Sequence, residues 1–199
     1  MNTSDLPGFP HFHFEAGQLF AEGCALANLA KAHGTPLFVY SKASMLSALA
    51  AYQRGFAGRD AQICYAMKAN SSLGVLQVFA QAGCGFDIVS GGELYRARKA
   101  GVPANRIVFS GVGKTISEMK MALSEGVRQF NVESEEELFV LSRLANSMDR
   151  LAPITLRVNP DVDAKTHEKI ATGKAENKFG IPISRAREVY ALAASLPGI

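Results

Sequence analysis

No stretch of this 199-residue sequence stays apolar for long enough to cross a bilayer, which takes about 20 such residues in a helix. No block of basic residues stands out either. The formal charge is only +3, too small a bias to point to nucleic acid or a membrane surface as partner. Cysteine is scarce. Cys24, Cys64 and Cys84 are an odd set without metal-ligand spacing, so neither a disulfide framework nor a zinc site is expected. The three are expected to be buried small hydrophobes in a reducing cytoplasm. Met1–Pro10 lacks both the basic start and the apolar run of a secretory signal. The expectation is a cytoplasmic protein with no bound metal, no nucleic-acid partner and no membrane partner.

What is present is a globular composition, 48% apolar and 20% charged, with chain enough for a real core. Short β-rich runs alternate with amphipathic stretches. Strands are predicted at Ile63–Met67, Phe86–Val89, Arg106–Phe109, Gln129–Val132 and Ile154–Val158. Helices are predicted near Leu73–Ala82, Gly92–Ala100, Ile116–Ser124, Glu135–Ser147 and Ser184–Ala194. Ser90 to Glu93, Thr115 to Glu118 and Ser134 to Glu137 each have the capping-box spacing, in which the first side chain satisfies an orphan amide and the Glu reaches back. Gly83, Gly101 and Gly126 stand where a left-handed C-terminal cap is cheap. Leu138, Leu141 and Leu144 share one helical stripe, as on a helix that covers a sheet.

Strand–helix alternation with short links implies parallel strands and right-handed crossovers. The strand starts recur roughly every 20–25 residues, near the minimum for a βαβ unit. A (β/α)8 barrel and an open doubly wound sheet both fit. A barrel needs eight strands and about five are found, so the expected fold is α/β, a partial TIM-type barrel over residues 59–199. Residues 1–58 differ and read as a lead-in. Phe12–Phe14, Leu19–Phe20 and Leu37–Tyr40 look like short strands there, and Gly23–His33 and Ser41–Phe56 look like helices.

The run Gln62 to Asn70 carries the sharpest chemical signal. Side chains alternate along a strand, so Cys64, Ala66 and Lys68 share one face and Ile63, Tyr65 and Met67 the other. The first face is small and ends in a lysine at the strand's C-terminal edge, where parallel-sheet sites lie. A lysine at that rim must be used, be paired or snorkel to solvent.

Tyr65-Ala-Met-Lys-Ala-Asn70 resembles the cofactor-lysine segment of the barrel-type pyridoxal-phosphate decarboxylases, the family of the diaminopimelate, ornithine and arginine decarboxylases, with alanine racemase as a distant relative. Further blocks resemble the family in the same order: Gly85–Leu94, Val108–Thr115, Phe130–Ser134, Leu156–Pro160, His167–Gly173 and Lys178–Gly180. The Gly-Val-Gly-Lys-Thr, Asn-Val-Glu-Ser and Lys-Phe-Gly wording is most similar to the diaminopimelate branch. The resemblance implies a two-domain homodimer that uses pyridoxal 5'-phosphate to decarboxylate meso-2,6-diaminopimelate to L-lysine. Lys68 would be the residue to which the cofactor attaches. The phosphate-binding loop, the ring-stacking histidine and the C-terminal domain of that family have no counterpart in these residues, so this stretch alone is expected to be inactive. Related ornithine, arginine or carboxypolyamine decarboxylases, a non-catalytic cofactor-binding barrel and a cofactor-free interaction module are the alternatives.

The same resemblance assigns secondary roles. Asp87 should point into the barrel beside Lys68, either as an organising partner or as a catalytic group. Glu93 matches a position near the cofactor, although capping Ser90 accounts for it as well. Arg157, a charge in mid-strand, must be paired and matches an arginine near the cofactor. His167 would serve the substrate site and Lys178 the dimer interface. Gly111 to Thr115 invites a nucleotide reading, but a phosphate-binding loop needs a glycine five residues before Gly113. Val108 stands there, and the motif is rejected.

Overall fold

A computed structural model describes residues 6–160 and 179–199. The chain divides after Ile63 into two compact units.

The first unit holds a three-stranded antiparallel meander, β1 (Phe12–Glu15), β2 (Gln18–Ala21) and β3 (Cys24–Ala25), followed by α1 (Leu26–His33) and α2 (Lys42–Gly55). The β1–β2 turn is tight, with Glu15 opposite Gln18 and positive φ at Ala16 and Gly17, the backbone a two-residue hairpin requires. Ser41 caps α2 by accepting from the Ser44 amide at 2.9 Å. Glu22 receives both the Ser41 hydroxyl at 2.7 Å and the Ala43 amide at 2.8 Å. Those bonds, the Ala43 amide first, hold its carboxyl below the usual range.

Two expectations need correction. Leu37–Tyr40 forms no strand, because it finds no ladder partner among the described residues. Cys24 is exposed and Cys64 half-buried, leaving Cys84 as the one buried thiol. Cys24 lies just past the Glu22–Gly23 turn, where an edge residue meets solvent.

The second unit is a five-stranded parallel sheet in the order β4 (Cys64–Ala66), β5 (Gly85–Ile88), β6 (Ile107–Phe109), β7 (Gln129–Val132) and β8 (Ile154–Leu156). Helices α3 (Leu73–Gln81), α4 (Gly91–Lys99), α5 (Ile116–Glu125) and α6 (Glu135–Ser147) lie between successive strands. α7 (Ala186–Ser195) follows the short parallel pair β9 (Val158–Asn159) and β10 (Ile181–Pro182).

Strand order resolves the architecture that periodicity left open. A doubly wound sheet reverses its strand order and so covers both faces with helices. Here the order runs one way, so every right-handed crossover lands on the same face. The sheet is one side of a (β/α) barrel. The two faces differ accordingly. Phe86, Ile88, Ile107, Phe109, Phe130, Val132 and Leu156 are buried on the helix side, each large side chain contributing roughly 1.5–3 kcal/mol. The alternating residues Asp87, Gln129, Asn131 and Thr155 are polar and half-buried on the other side.

The caps form largely as expected. Thr115 and Glu118 make a reciprocal capping box. At α4 and α6 the serine accepts the Glu93 or Glu137 amide, but each carboxylate reaches one residue further back, to the Val89 and Glu133 amides. Gly83, Gly101 and Gly126 have positive φ, as C-terminal caps require. Among the described residues, no helix is long and apolar enough to cross a membrane.

Candidate active site

The polar face of the sheet walls a cavity of about 440 Å³, lined at its strand ends by Lys68, Asp87, Ser110, Asn131, Glu133 and Arg157. It lies at the C-terminal edge, where parallel barrels carry their sites.

Lys68 reaches it from an unexpected element. β4 ends at Ala66, and Lys68 sits in a short 3-10 turn, Met67–Ala69, rather than on the strand. Tyr65 explains how the turn is held. Its ring stacks on Phe79 of α3 at 4.3 Å and meets Phe86 edge-on at 5.9 Å. Its hydroxyl donates to the Asn70 carbonyl at 3.1 Å, just past Lys68. Asn70 Oδ1 then accepts the Ser72 amide at 2.9 Å as α3 begins, and Arg96 donates to the Ser71 carbonyl at 2.9 Å. Met67 is wholly buried. The backbone on both sides of Lys68 is therefore held, while Lys68 itself is exposed and lines the cavity.

Asp87 projects from β5 one residue before its C-terminal end and lines the cavity, as alternation requires. It accepts the Ser110 hydroxyl at 2.5 Å. Arg157 is paired, as a charge on this face must be. Its Nη1 donates to both carboxylate oxygens of Glu133, at 2.8 and 3.0 Å. Glu133 is buried and Arg157, which lines the cavity and has its guanidinium 5.5 Å from the Phe179 ring centre, is not. Arg157, expected in mid-strand, lies instead between β8 and β9. The ladder partner changes there, because β8 pairs with β7 and β9 with β10. Gly180 (φ +91°) makes that change possible. A Cβ there would stand 2.7 Å from the Arg157 carbonyl, which instead accepts the Ile181 amide at 2.8 Å.

Glu93 is drawn elsewhere. Its carboxylate holds the Val89 amide at 2.7 Å, and it does not line the cavity. His167 and Lys178 lie outside the described residues. Ser110, Gln129, Asn131, Glu133 and Thr155 were not singled out from the sequence, yet all line the cavity. The signal was there: Gln129, Asn131 and Glu133 alternate with the apolar Phe130 and Val132, a two-residue period that marks the opposite face. Lys114 of the rejected nucleotide motif proves to be wholly buried. Among the described residues, no cluster of three His, Cys, Asp or Glu could hold a metal ion.

The geometry defines part of a (β/α) barrel with a lysine, a carboxylate and a paired arginine gathered at the C-terminal rim of its strands. Residues 42–199 match the family described as "Pyridoxal-dependent decarboxylase, pyridoxal binding domain", and the chain belongs to that family. Among its relatives, a diaminopimelate decarboxylase of Vibrio cholerae is 54% identical over 185 residues, 93% of this chain and 44% of that protein. One from Aquifex aeolicus is 46% identical over 190 residues, 96% of this chain and 45% of that protein. The crystal structure of diaminopimelate decarboxylase from M. jannaschii in complex with L-lysine matches with a TM-score of 0.88 at 35% identity, over 97% of this chain and 46% of that one. The chain thus spans less than half the length of the curated relatives it matches.

Proposed function

We propose that the protein carrying this chain is a pyridoxal-5'-phosphate-dependent decarboxylase that converts meso-2,6-diaminopimelate to L-lysine and carbon dioxide. The observation that carries the reading is the meeting of Lys68, Asp87 and the Glu133–Arg157 pair on one polar cavity in a chain whose named relatives are diaminopimelate decarboxylases.

The residues present fit the cofactor. The cavity, about 440 Å³, is within the usual range for a small-molecule site. It offers a primary amine for covalent attachment to an aldehyde, a cation for an anionic group and a carboxylate for a cationic one. When bound, the cofactor supplies the electron sink for loss of carbon dioxide. The chain's own part is placement. Lys68 Nζ is the attachment point, on a turn fastened by Tyr65 and Asn70. Asp87 presents a carboxylate to amines on the same wall. Arg157, steadied by Glu133, presents N–H donors to a phosphate or a carboxylate. Glu93 acts from outside the cavity by holding the backbone between β5 and α4. The protein is further proposed to be a cytoplasmic homodimer; light scattering on the full-length protein would check the dimer.

The test is to add pyridoxal phosphate and then borohydride. The expected result is a mass gain on the peptide that holds Lys68, together with carbon dioxide release from diaminopimelate by the full-length protein. No mass gain on that peptide would end the proposal. These 199 residues alone span under half of the relatives and are proposed to lack turnover, so carbon dioxide release by them alone would contradict that part.

A further inference from the structure

Four polar side chains along the cavity wall form a directed chain. Gln129 Nε2 donates to Asn131 Oδ1 at 2.9 Å. Asn131 Nδ2 donates to Ser110 Oγ at 2.8 Å. Ser110 Oγ meets Asp87 Oδ1 at 2.5 Å, a separation that suits a hydroxyl bound to a carboxylate. The direction follows from the donor inventory. An amide has distinct donor and acceptor ends, and Gln129 engages the acceptor end of Asn131. The N–H₂ of Asn131 therefore faces Ser110. A hydroxyl has one proton, and with Asn131 donating to its oxygen that proton is left for Asp87.

The face does not demand polar residues. Val108 stands on it between Asp87 and Gln129 in the ladder register, and it is half-buried without a polar group. A run of partly buried polar side chains is costly unless every member is satisfied, and here each step is.

We propose that Ser110 is a positioning residue that locks the Asp87 carboxylate on the cavity wall as a hydrogen-bond acceptor, with Asn131 and Gln129 fixing the direction of its hydroxyl. The inference rests on the reading of Lys68 as the cofactor's attachment point and extends it to the residues that orient its neighbour. Ser110 acts through Asp87, so its effect on events at Lys68 disappears when Asp87 no longer needs to be held.

The experiment follows, in the full-length protein, the rate at which added pyridoxal phosphate becomes trappable by borohydride on the Lys68 peptide. Ser110→Ala is expected to slow trapping about tenfold, the range for loss of a hydrogen bond to a charged group. Asp87→Asn should slow it similarly, and Ser110→Ala added to Asp87→Asn should slow it no further, as expected for two residues acting as one unit. Ser110→Thr and Ser110→Val, nearly equal in shape, serve as the second pair should the alanine variant fold poorly. The threonine variant should keep most of the rate and the valine variant should not. Equal rates in that pair, an unchanged rate in Ser110→Ala, or independent effects of Ser110→Ala and Asp87→Asn would each overturn the inference while leaving the attachment at Lys68 intact. Absence of trapping in the unsubstituted protein would overturn both.

Discussion

Lys114 Nζ lies 2.7 Å from Glu137 Oε1, with none of the lysine side chain reaching solvent. The ammonium also donates to the Gly111 carbonyl at 2.7 Å and the Asn131 carbonyl at 2.8 Å, which uses all three of its protons. Glu137 in turn accepts the Glu133 amide at 3.1 Å. The pair thus joins the turn after β6, the strand β7 and the first turn of α6, the backbone from which Ser110, Asn131 and Glu133 project. A lysine in a motif that looks suited to nucleotide phosphate is here a buried internal clip.

Removing one member of a buried ion pair strands the other. Lys114→Met is expected to destabilise the protein by about 3–5 kcal/mol, the usual cost of breaking such a pair. The double variant with Glu137→Leu should recover part of that loss. Urea unfolding would read both, and a single variant as stable as the parent would refute the role of the clip.

Glu118 offers a test by pH. It accepts the Gly91 amide at 2.8 Å, the Thr115 amide at 2.9 Å and the Thr115 hydroxyl at 2.8 Å. These bonds, the Gly91 amide first, hold its carboxyl below its ordinary value of 4.5. A group whose pKa falls on folding adds stability above its unfolded value and loses it as pH drops through the folded one. Glu118→Gln should therefore be less stable than the parent at neutral pH. The gap should narrow below about pH 4.5. A gap that is constant with pH would contradict this.

The cysteines should separate by reactivity. Burial, with Cys64 nearby, pushes the Cys84 thiol up to about 11. At pH 8 only about one such thiol in a thousand is ionised, and the thiolate is the reactive form. Cys24 is exposed. A maleimide at pH 8 should label Cys24 in the native protein and Cys84 only after unfolding, with peptide mass mapping as the readout. Labelling of both at equal rates would argue against the packing around Cys84.

Glu133 should govern the reach of Arg157. Glu133→Gln keeps the shape but removes the charge and one of the two acceptors. Arg157 should then react several-fold faster with an arginine-selective dicarbonyl, because a charge-assisted pair worth about 1.5–3 kcal/mol is weakened. An unchanged modification rate would show that the pair does not steady the guanidinium.

Much of this molecule was legible because its signals are local. Capping residues start α4, α5 and α6 where the sequence places them, since a cap needs only a side chain and an amide three residues away. Alternation put Asp87 on the cavity side, since a strand imposes its period on any residue. Leu37–Tyr40 misled for the converse reason. β propensity describes a residue's fit to a pleated surface, and a strand exists only if a partner runs beside it.

Periodicity settled that the strands of the sheet are parallel and that helices lie between successive ones, because both follow from spacing along one chain. Whether those strands wind one way or reverse depends on which neighbours pair across long separations, and no local pattern encodes that. The same holds for the cavity. Lys68 and Asp87 could be named singly, but Ser110 became a partner of Asp87, Glu133 of Arg157 and Lys114 of Glu137 only once distant segments lay side by side. A hydrogen bond is decided by distance and angle in space, and residues more than 20 positions apart acquire those only from the packed sheet.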